Sequence, residues 1–192
     1  MRLFTGIALP TFVQDNLARV LKELRPLAPL NWSPVENLHI TSKFIGEWPE
    51  ERLTELEEAL ENPTLSDGFE VTISRFGYFP NPHNPRTLFA GVQAGSALAE
   101  LATRIDEALL PLGVARESRP YSPHLTLARI KHEDIRQLRE HIAKMTNFNF
   151  GTFQVSEFHL YLSKRSSEGS VYTPLATWPL PLAASIQAGS QQ

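Results

Sequence analysis

The chain has 192 residues, 42% of them hydrophobic and 20% charged, with a formal net charge of −3. That is the size of one domain, or of two small lobes sharing a core, with an ordinary globular composition; the absence of cysteine excludes disulfides, thiolate zinc sites and cysteine nucleophiles. No apolar run approaches the roughly 18 residues of a membrane helix, and a negative balance argues against wrapping a nucleic-acid duplex while leaving room for a pocket that grips one strand end.

Leu3 to Leu9 reads as a strand ending at Pro10; with no basic segment ahead of an apolar one, a cytoplasmic protein is expected. Thr11 is placed to cap a helix running to about Leu24, with Phe12, Leu17, Val20, Leu21 and Leu24 as its apolar stripe. Pro26 to Pro34 is a turn-rich connector. Leu38 to Ile45 is a strand stopped by Gly46, and Pro49 opens a helix to about Leu60 with a glutamate-rich outer face. Phe69 to Phe79 and Leu88 to Val92 form a hairpin across the tip Pro80 to Pro85. Ser96 caps a helix to about Leu112, and His124 to Ile130 is a further strand. Glu133 to Met145 is helical, Thr152 to Leu162 and Val171 to Trp178 are closing strands, and Ala183 to Gln192 reads as a flexible tail. Each half thus runs helix, strand, helix, two strands, with Leu3 to Leu9 heading the first half and Val114 to Arg116 as its weaker counterpart. The expectation is an α+β chain, one bilobal catalytic domain over residues 1–182 with an internal repeat.

The repeat carries the chemistry. His39-Ile40-Thr41 and His124-Leu125-Thr126 lie 85 residues apart, each opening a β-prone run. In a strand residues i and i+2 share a face, so each histidine points with its threonine, while Ile40, Leu125 and Leu127 point toward packed helices; Ser42 breaks that apolar pattern. A single His-x-Thr is a weak signal, since such a histidine is commonly satisfied by a backbone carbonyl. Two copies in matching places of two similar halves are a strong one. Imidazole takes and gives protons near neutral pH, and threonine hydroxyls hold anionic oxygens without adding charge. Four such groups around one cleft suit a phosphodiester, one histidine activating water and the other protonating the leaving oxygen.

These segments resemble the 2H phosphoesterase superfamily, and within it the RNA 2′,3′-cyclic phosphodiesterases, also called 2′-5′ RNA ligases. The resemblance rests on Asn37-Leu38-His39-Ile40-Thr41 with Lys43-Phe44-Ile45-Gly46-Glu47 and on Arg119-Pro120-Tyr121-Ser122-Pro123-His124-Leu125-Thr126-Leu127-Ala128-Arg129. Arg2 to Ile7, Leu160 to Ser163 and Val171 to Leu175 are similar as well. It implies a bilobal pseudo-twofold fold with two antiparallel sheets around a central cleft and helices outside. It implies hydrolysis of a terminal RNA 2′,3′-cyclic phosphate to a 2′-phosphate, with 2′-5′ ligation as the reverse reaction. His39 would be the proton donor, His124 the acceptor, and Thr41 and Thr126 the holders of phosphate oxygens, with no metal and no cofactor. The sequence by itself does not rank the two histidines.

Phe44 and Arg129 both stand five residues after their histidine. Strict alternation turns them away from the cleft; a bulge would bring them to its rim, where they could clamp a base, or Arg129 could pair with a phosphate. Otherwise Phe44 is core and Arg129 a solvated strand end. Lys43 shares the His39 face by alternation, either adding positive potential to the site or facing solvent. Arg119 and Tyr121 either contact substrate or fix their loop. His83, His132, His141 and His159 lack metal-ligand spacing. The expected partners are RNA 3′ ends or small cyclic-phosphate nucleotides, bound by a monomer that needs no membrane or other protein. The competing functions are an RNA-end or nucleotide binding module without turnover, and a metal-dependent phosphodiesterase.

Overall fold

The computed structural model describes residues 1–61, 67–166 and 169–181, so the expected tail lies outside the described residues. Two antiparallel sheets pack through one continuous apolar core. The chain opens with β1 (Arg2–Ala8) and α1 (Thr11–Leu24), followed by β2 (Asn31–Trp32) and the first motif strand, β3 (His39–Glu47). Next come α2 (Leu53–Leu60), β4 (Phe69–Phe79), β5 (Thr87–Gln93) and α3 (Ala97–Leu109). The second motif strand is β6 (His124–Arg129), followed by α4 (Arg136–Lys144), β7 (Asn149–Val155), β8 (Glu157–Ser166) and β9 (Gly169–Pro179). One sheet is ordered β3-β1-β8-β9, the other β2-β6-β5-β4-β7.

The elements around the two motif strands correspond in a frame shifted from the one expected. Each motif strand lies beside the strand that precedes its helix: β1-α1-β3 in one sheet, β5-α3-β6 in the other. The partner of β1 in the repeat is therefore β5, and Val114 to Arg116 is not a strand. The sheets are also not the sequence halves. The middle hairpin β4–β5 joins the second motif, and the terminal hairpin β8–β9 joins the first. The expected strand Thr152 to Leu162 is accordingly two strands. The chain leaves one sheet at Val155 and enters the other at Glu157, across Ser156 alone.

The helices interlock the sheets. α1 buries Val13, Leu17, Leu21 and Leu24 and packs on β7, where Asn16 Nδ2 donates to Phe150 O at 2.8 Å. α3 buries Leu98, Leu101, Ile105 and Leu109 and packs on β3. Each such aliphatic side chain contributes about 1.5–3 kcal/mol by leaving water. Phe12 falls off the expected stripe, 48% exposed, because Val13 takes the core position. Thr11 does not cap; Pro10 holds the N-cap position and its carbonyl accepts from Val13 and Gln14. Gly46 does not stop β3 either. It adopts φ +88°, which a glycine tolerates freely, and pairing continues to Glu47 opposite Arg2. α4 starts at Arg136 rather than Glu133, whose carboxylate instead accepts the Lys131 and His132 amides.

Candidate active site

Both motif strands break strict alternation at the same place. β3 pairs with β1 as His39–Ala8, Ile40–Ile7 and Thr41–Gly6, then resumes at Lys43–Thr5 with Ser42 unpaired. β6 pairs with β5 as His124–Gly91, Leu125–Ala90 and Thr126–Phe89, then resumes at Ala128–Leu88 with Leu127 unpaired. In each strand the fourth and fifth residues are both buried and the sixth is exposed. A one-residue bulge reverses the faces downstream of it. Phe44 and Arg129 therefore stand on the histidine faces, at the cleft side. Phe44 is 62% exposed, 6.1 Å from the ring of Phe4, which itself stacks on His39.

The same bulge corrects the placement of Lys43. It lies on the face opposite His39, 6% exposed, where Nζ donates to Ala115 O at 2.7 Å and pairs with the Asp106 carboxylate on α3. Lys43 ties β3 to α3 and is not available to substrate. Ser42, unexplained by the pattern, is the bulged residue, its buried hydroxyl bonded to that of Thr5 at 2.8 Å.

The two imidazoles are held alike. His39 Nδ1 donates to the Asn37 carbonyl at 2.7 Å, and His124 Nδ1 donates to the Ser122 carbonyl at 2.8 Å, in each case two residues upstream. A carbonyl only accepts, so both Nδ1 atoms carry the proton and both Nε2 atoms are left to take one. β3 and β6 are in contact without a ladder between them, and the imidazoles are close enough for their charges to interact. Burial lowers the pKa of each from the ordinary 6.5; the carbonyl bonds oppose this, and a cationic neighbour adds to it. For His39 that neighbour is His124, and for His124 it is Arg129.

The ring packing differs. His39 lies flat on Phe4 at 4.6 Å and meets Tyr172 edge-on at 4.9 Å, with Tyr161 behind Phe4. His124 meets Phe79 and Phe89 edge-on at 4.9 and 5.6 Å. Gly6 beside Thr41 is required, since a Cβ there would stand 2.8 Å from the Ile40 carbonyl. Gly77 likewise leaves the space that the Phe89 ring fills.

Thr41 and Thr126 are half-buried on the histidine faces, and among the described residues neither hydroxyl has a hydrogen-bond partner. Arg129 is exposed, oriented by one bond of 3.0 Å from Nη1 to Thr87 Oγ1. Arg119 is exposed, whereas Tyr121 donates its hydroxyl to the Thr41 carbonyl at 2.7 Å. His83 and His132 are exposed; His141 lies 3.8 Å from Glu23, and His159 is held by Thr177 at 2.8 Å and Glu157 at 3.5 Å. The described residues contain no cluster of three or more His, Asp or Glu side chains arranged for a metal ion, and no helix long and apolar enough to cross a membrane.

The aromatic beds under the histidines escaped the sequence reading, because Phe4, Tyr161 and Tyr172 for His39, and Phe79 and Phe89 for His124, come from strands far in the chain from the histidine they meet. The bulge left a readable trace: Leu127-Ala128, two apolar residues in succession in an alternating strand.

The profile of the 2′-5′ RNA ligase superfamily matches residues 13–166. An RNA 2′,3′-cyclic phosphodiesterase of Archaeoglobus fulgidus is 33% identical over 91% of this chain and 98% of its own length. One from Methanocaldococcus jannaschii is 32% identical over 93% and 100%. Among solved structures, TT0787 of Thermus thermophilus superposes with a TM-score of 0.79 at 30% identity, covering 95% of this chain and 99% of its own. LigT of E. coli, solved with 3′-AMP, gives 0.76 at 27% identity over 93% and 97%.

Proposed function

The chain belongs to the 2′-5′ RNA ligase superfamily of 2H phosphoesterases, and from that premise we propose that it hydrolyses the terminal 2′,3′-cyclic phosphate of RNA to a 2′-phosphate. The observation that carries the reading is the matched pair of His-x-Thr strands, each with its Nδ1 anchored and its Nε2 and threonine hydroxyl free, presented from two sheets to one site. Water attacks phosphorus while His124 Nε2 takes its proton. The bond from phosphorus to O3′ breaks, and His39 delivers a proton to O3′, leaving a 3′-hydroxyl and a 2′-phosphate. Thr41 and Thr126 hold the non-bridging oxygens through the displacement.

The division of labour between the histidines is the one the family resemblance implies. Burial disfavours an imidazolium at both histidines, and at His124, the base, the Arg129 cation adds to it. His39 lies over the face of Phe4, where a cation is favoured, and the substrate's negative charge raises its pKa toward what a donor needs. Arg129 meets the phosphate, and Phe44 offers its exposed ring to the terminal base. Ligation uses the same groups, a 5′-hydroxyl replacing water in attack on the cyclic phosphate, the bond from phosphorus to O3′ breaking and a 2′-5′ linkage forming, with water far in excess favouring hydrolysis. A substrate made of RNA ends fits a cytoplasmic protein. One chain supplies both histidines, so a monomer suffices.

The test is hydrolysis of a short RNA ending in a 2′,3′-cyclic phosphate, with the 2′- and 3′-phosphate products resolved. A 2′-phosphate product, formed after exhaustive chelation, is the expected result. No turnover by folded protein, or a 3′-phosphate product, would overturn it.

A further inference from the structure

The two motif strands lie in different sheets, so no ladder fixes the separation of His39 from His124. Two side-chain hydroxyls bridge that gap, and they do so reciprocally. Tyr121, on the segment leading into His124, donates to the carbonyl of Thr41, the threonine of the other motif, at 2.7 Å. Ser33, on the segment leading into His39, donates to the carbonyl of Thr126 at 2.9 Å. The approach to each histidine is thus fastened to the backbone of the opposite half-site.

We propose that Tyr121 and Ser33 are positioning residues, a pair of hydroxyl latches that set the spacing of the two imidazoles. The latches differ in strength. Ser33 is backed by its own amide, which donates to Leu127 O at 2.8 Å, and by the pairing of Trp32 with Ala128. Among the described residues no backbone hydrogen bond runs from residues 117–123 to β3. The Tyr121 hydroxyl is thus a direct bond from that segment to β3, while the start of the loop is held by Lys43 Nζ donating to Ala115 O and by the Glu117 amide donating to Asp106 Oδ2 of α3 at 3.3 Å. Burial pushes the Tyr121 phenol well up, so it remains a donor throughout the working pH range. A hydrogen bond to a strand carbonyl adjoining the reacting groups transmits position without touching substrate. Misplacement of about 1 Å is enough to cost on the order of 100-fold in rate.

The inference rests on the two-imidazole reading above, and the test separates the two. Tyr121→Phe keeps the ring and removes only the hydroxyl. It is expected to lower kcat about 10- to 100-fold with KM little changed, and Ser33→Ala to lower it about fivefold. The imidazole titrations, followed by NMR, supply a readout independent of turnover. Loosening the latch moves His124 away, so the His39 midpoint rises as the push from a like charge fades. A loss confined to KM means contact with substrate, and a fall in melting temperature alone means a structural role; either overturns the proposal, as do wild-type kinetics. If the wild type turns over no cyclic phosphate, the function proposed above fails, and the His39 midpoint alone decides the latch: a rise supports it, and no change overturns it. Should Tyr121→Phe not fold, Ser33→Ala is judged by the same readouts.

Discussion

The two half-sites repeat one backbone device with different side chains upon it. In both, a carbonyl two residues upstream holds Nδ1, a threonine follows at i+2, and a bulge brings the residue at i+5 to the cleft face. The differences fall on what surrounds that device. The first half places a stacked ring under its histidine and an aromatic residue at i+5, whereas the second places ring edges around its histidine and a guanidinium at i+5. The backbone supplies equivalence, two proton carriers at matched positions. The side chains supply inequality, a second imidazole acting on His39 and a guanidinium on His124. A displacement needing an acid and a base at once requires both.

The largest effects come from removing the shared device. His39→Ala and His124→Ala should each lower turnover about 10²–10⁴-fold. They are told apart by the leaving group: a diester whose leaving oxygen departs without protonation should restore much of the His39→Ala rate and little of the His124→Ala rate. Equal restoration of both would break the assignment of acid and base. The pH dependence follows from the same pair. The active form has one imidazole charged and one neutral, so kcat/KM against pH is a bell whose limbs belong to the coupled pair. Both pKa values are lowered in the free protein, which puts the maximum of kcat/KM on the acid side of 6.5. Bound phosphate raises the donor, so the kcat profile should shift upward. A kcat/KM profile flat from pH 5 to 9 would sink the scheme.

Lys43 tests the comparison from the buried side. Its counterpart in the second half is Ala128, equally buried and apolar. Lys43→Ala leaves the Asp106 carboxylate, only 16% exposed, without its cation, and should lower stability by about 3 kcal/mol in denaturant titration. Lys43→Ala with Asp106→Leu should recover most of that loss. KM should not move in either variant; a raised KM would return Lys43 to the substrate.

Lys43 also marks where legibility ended. The strands, helices and paired His-x-Thr segments announced themselves through periodicities that are local. The bulge is local too, but its only trace was Leu127-Ala128, and in the first half Ser42-Lys43 hid it behind two polar residues whose partners, Thr5 and Asp106, sit 37 and 63 positions away. The exchange of hairpins between sheets was hidden for a different reason. β8 reads equally well as a continuation of β7 or as the neighbour of β1. Ser156 is a weak boundary, and the choice is made by the registers Leu3–Leu162 and Phe4–Tyr161, which a single-sequence pattern does not encode.

The smaller effects belong to the i+5 pair, where the half-sites diverge most. Arg129→Ala should raise KM about 10- to 100-fold, the loss of a charge-assisted contact to phosphate. It should also raise the His124 pKa, moving one limb of the bell toward neutrality. Phe44→Ala removes a stacking surface worth about 1–3 kcal/mol per base; with the ring 62% exposed and packed on one side only, the lower end applies, about a fivefold rise in KM. Salt separates the two contacts. Displacing counterions from single-stranded RNA gives a log–log slope of about −0.7 per phosphate neutralised, so Arg129→Ala should flatten the salt dependence of KM by about that amount. Phe44→Ala should leave the slope alone and instead narrow the differences among terminal bases. If Phe44→Ala changed the slope and Arg129→Ala changed base preference, the roles at i+5 would be exchanged. The guanidinium would then be the stacking partner, and the phosphate would be held by Thr41 and Thr126 without it.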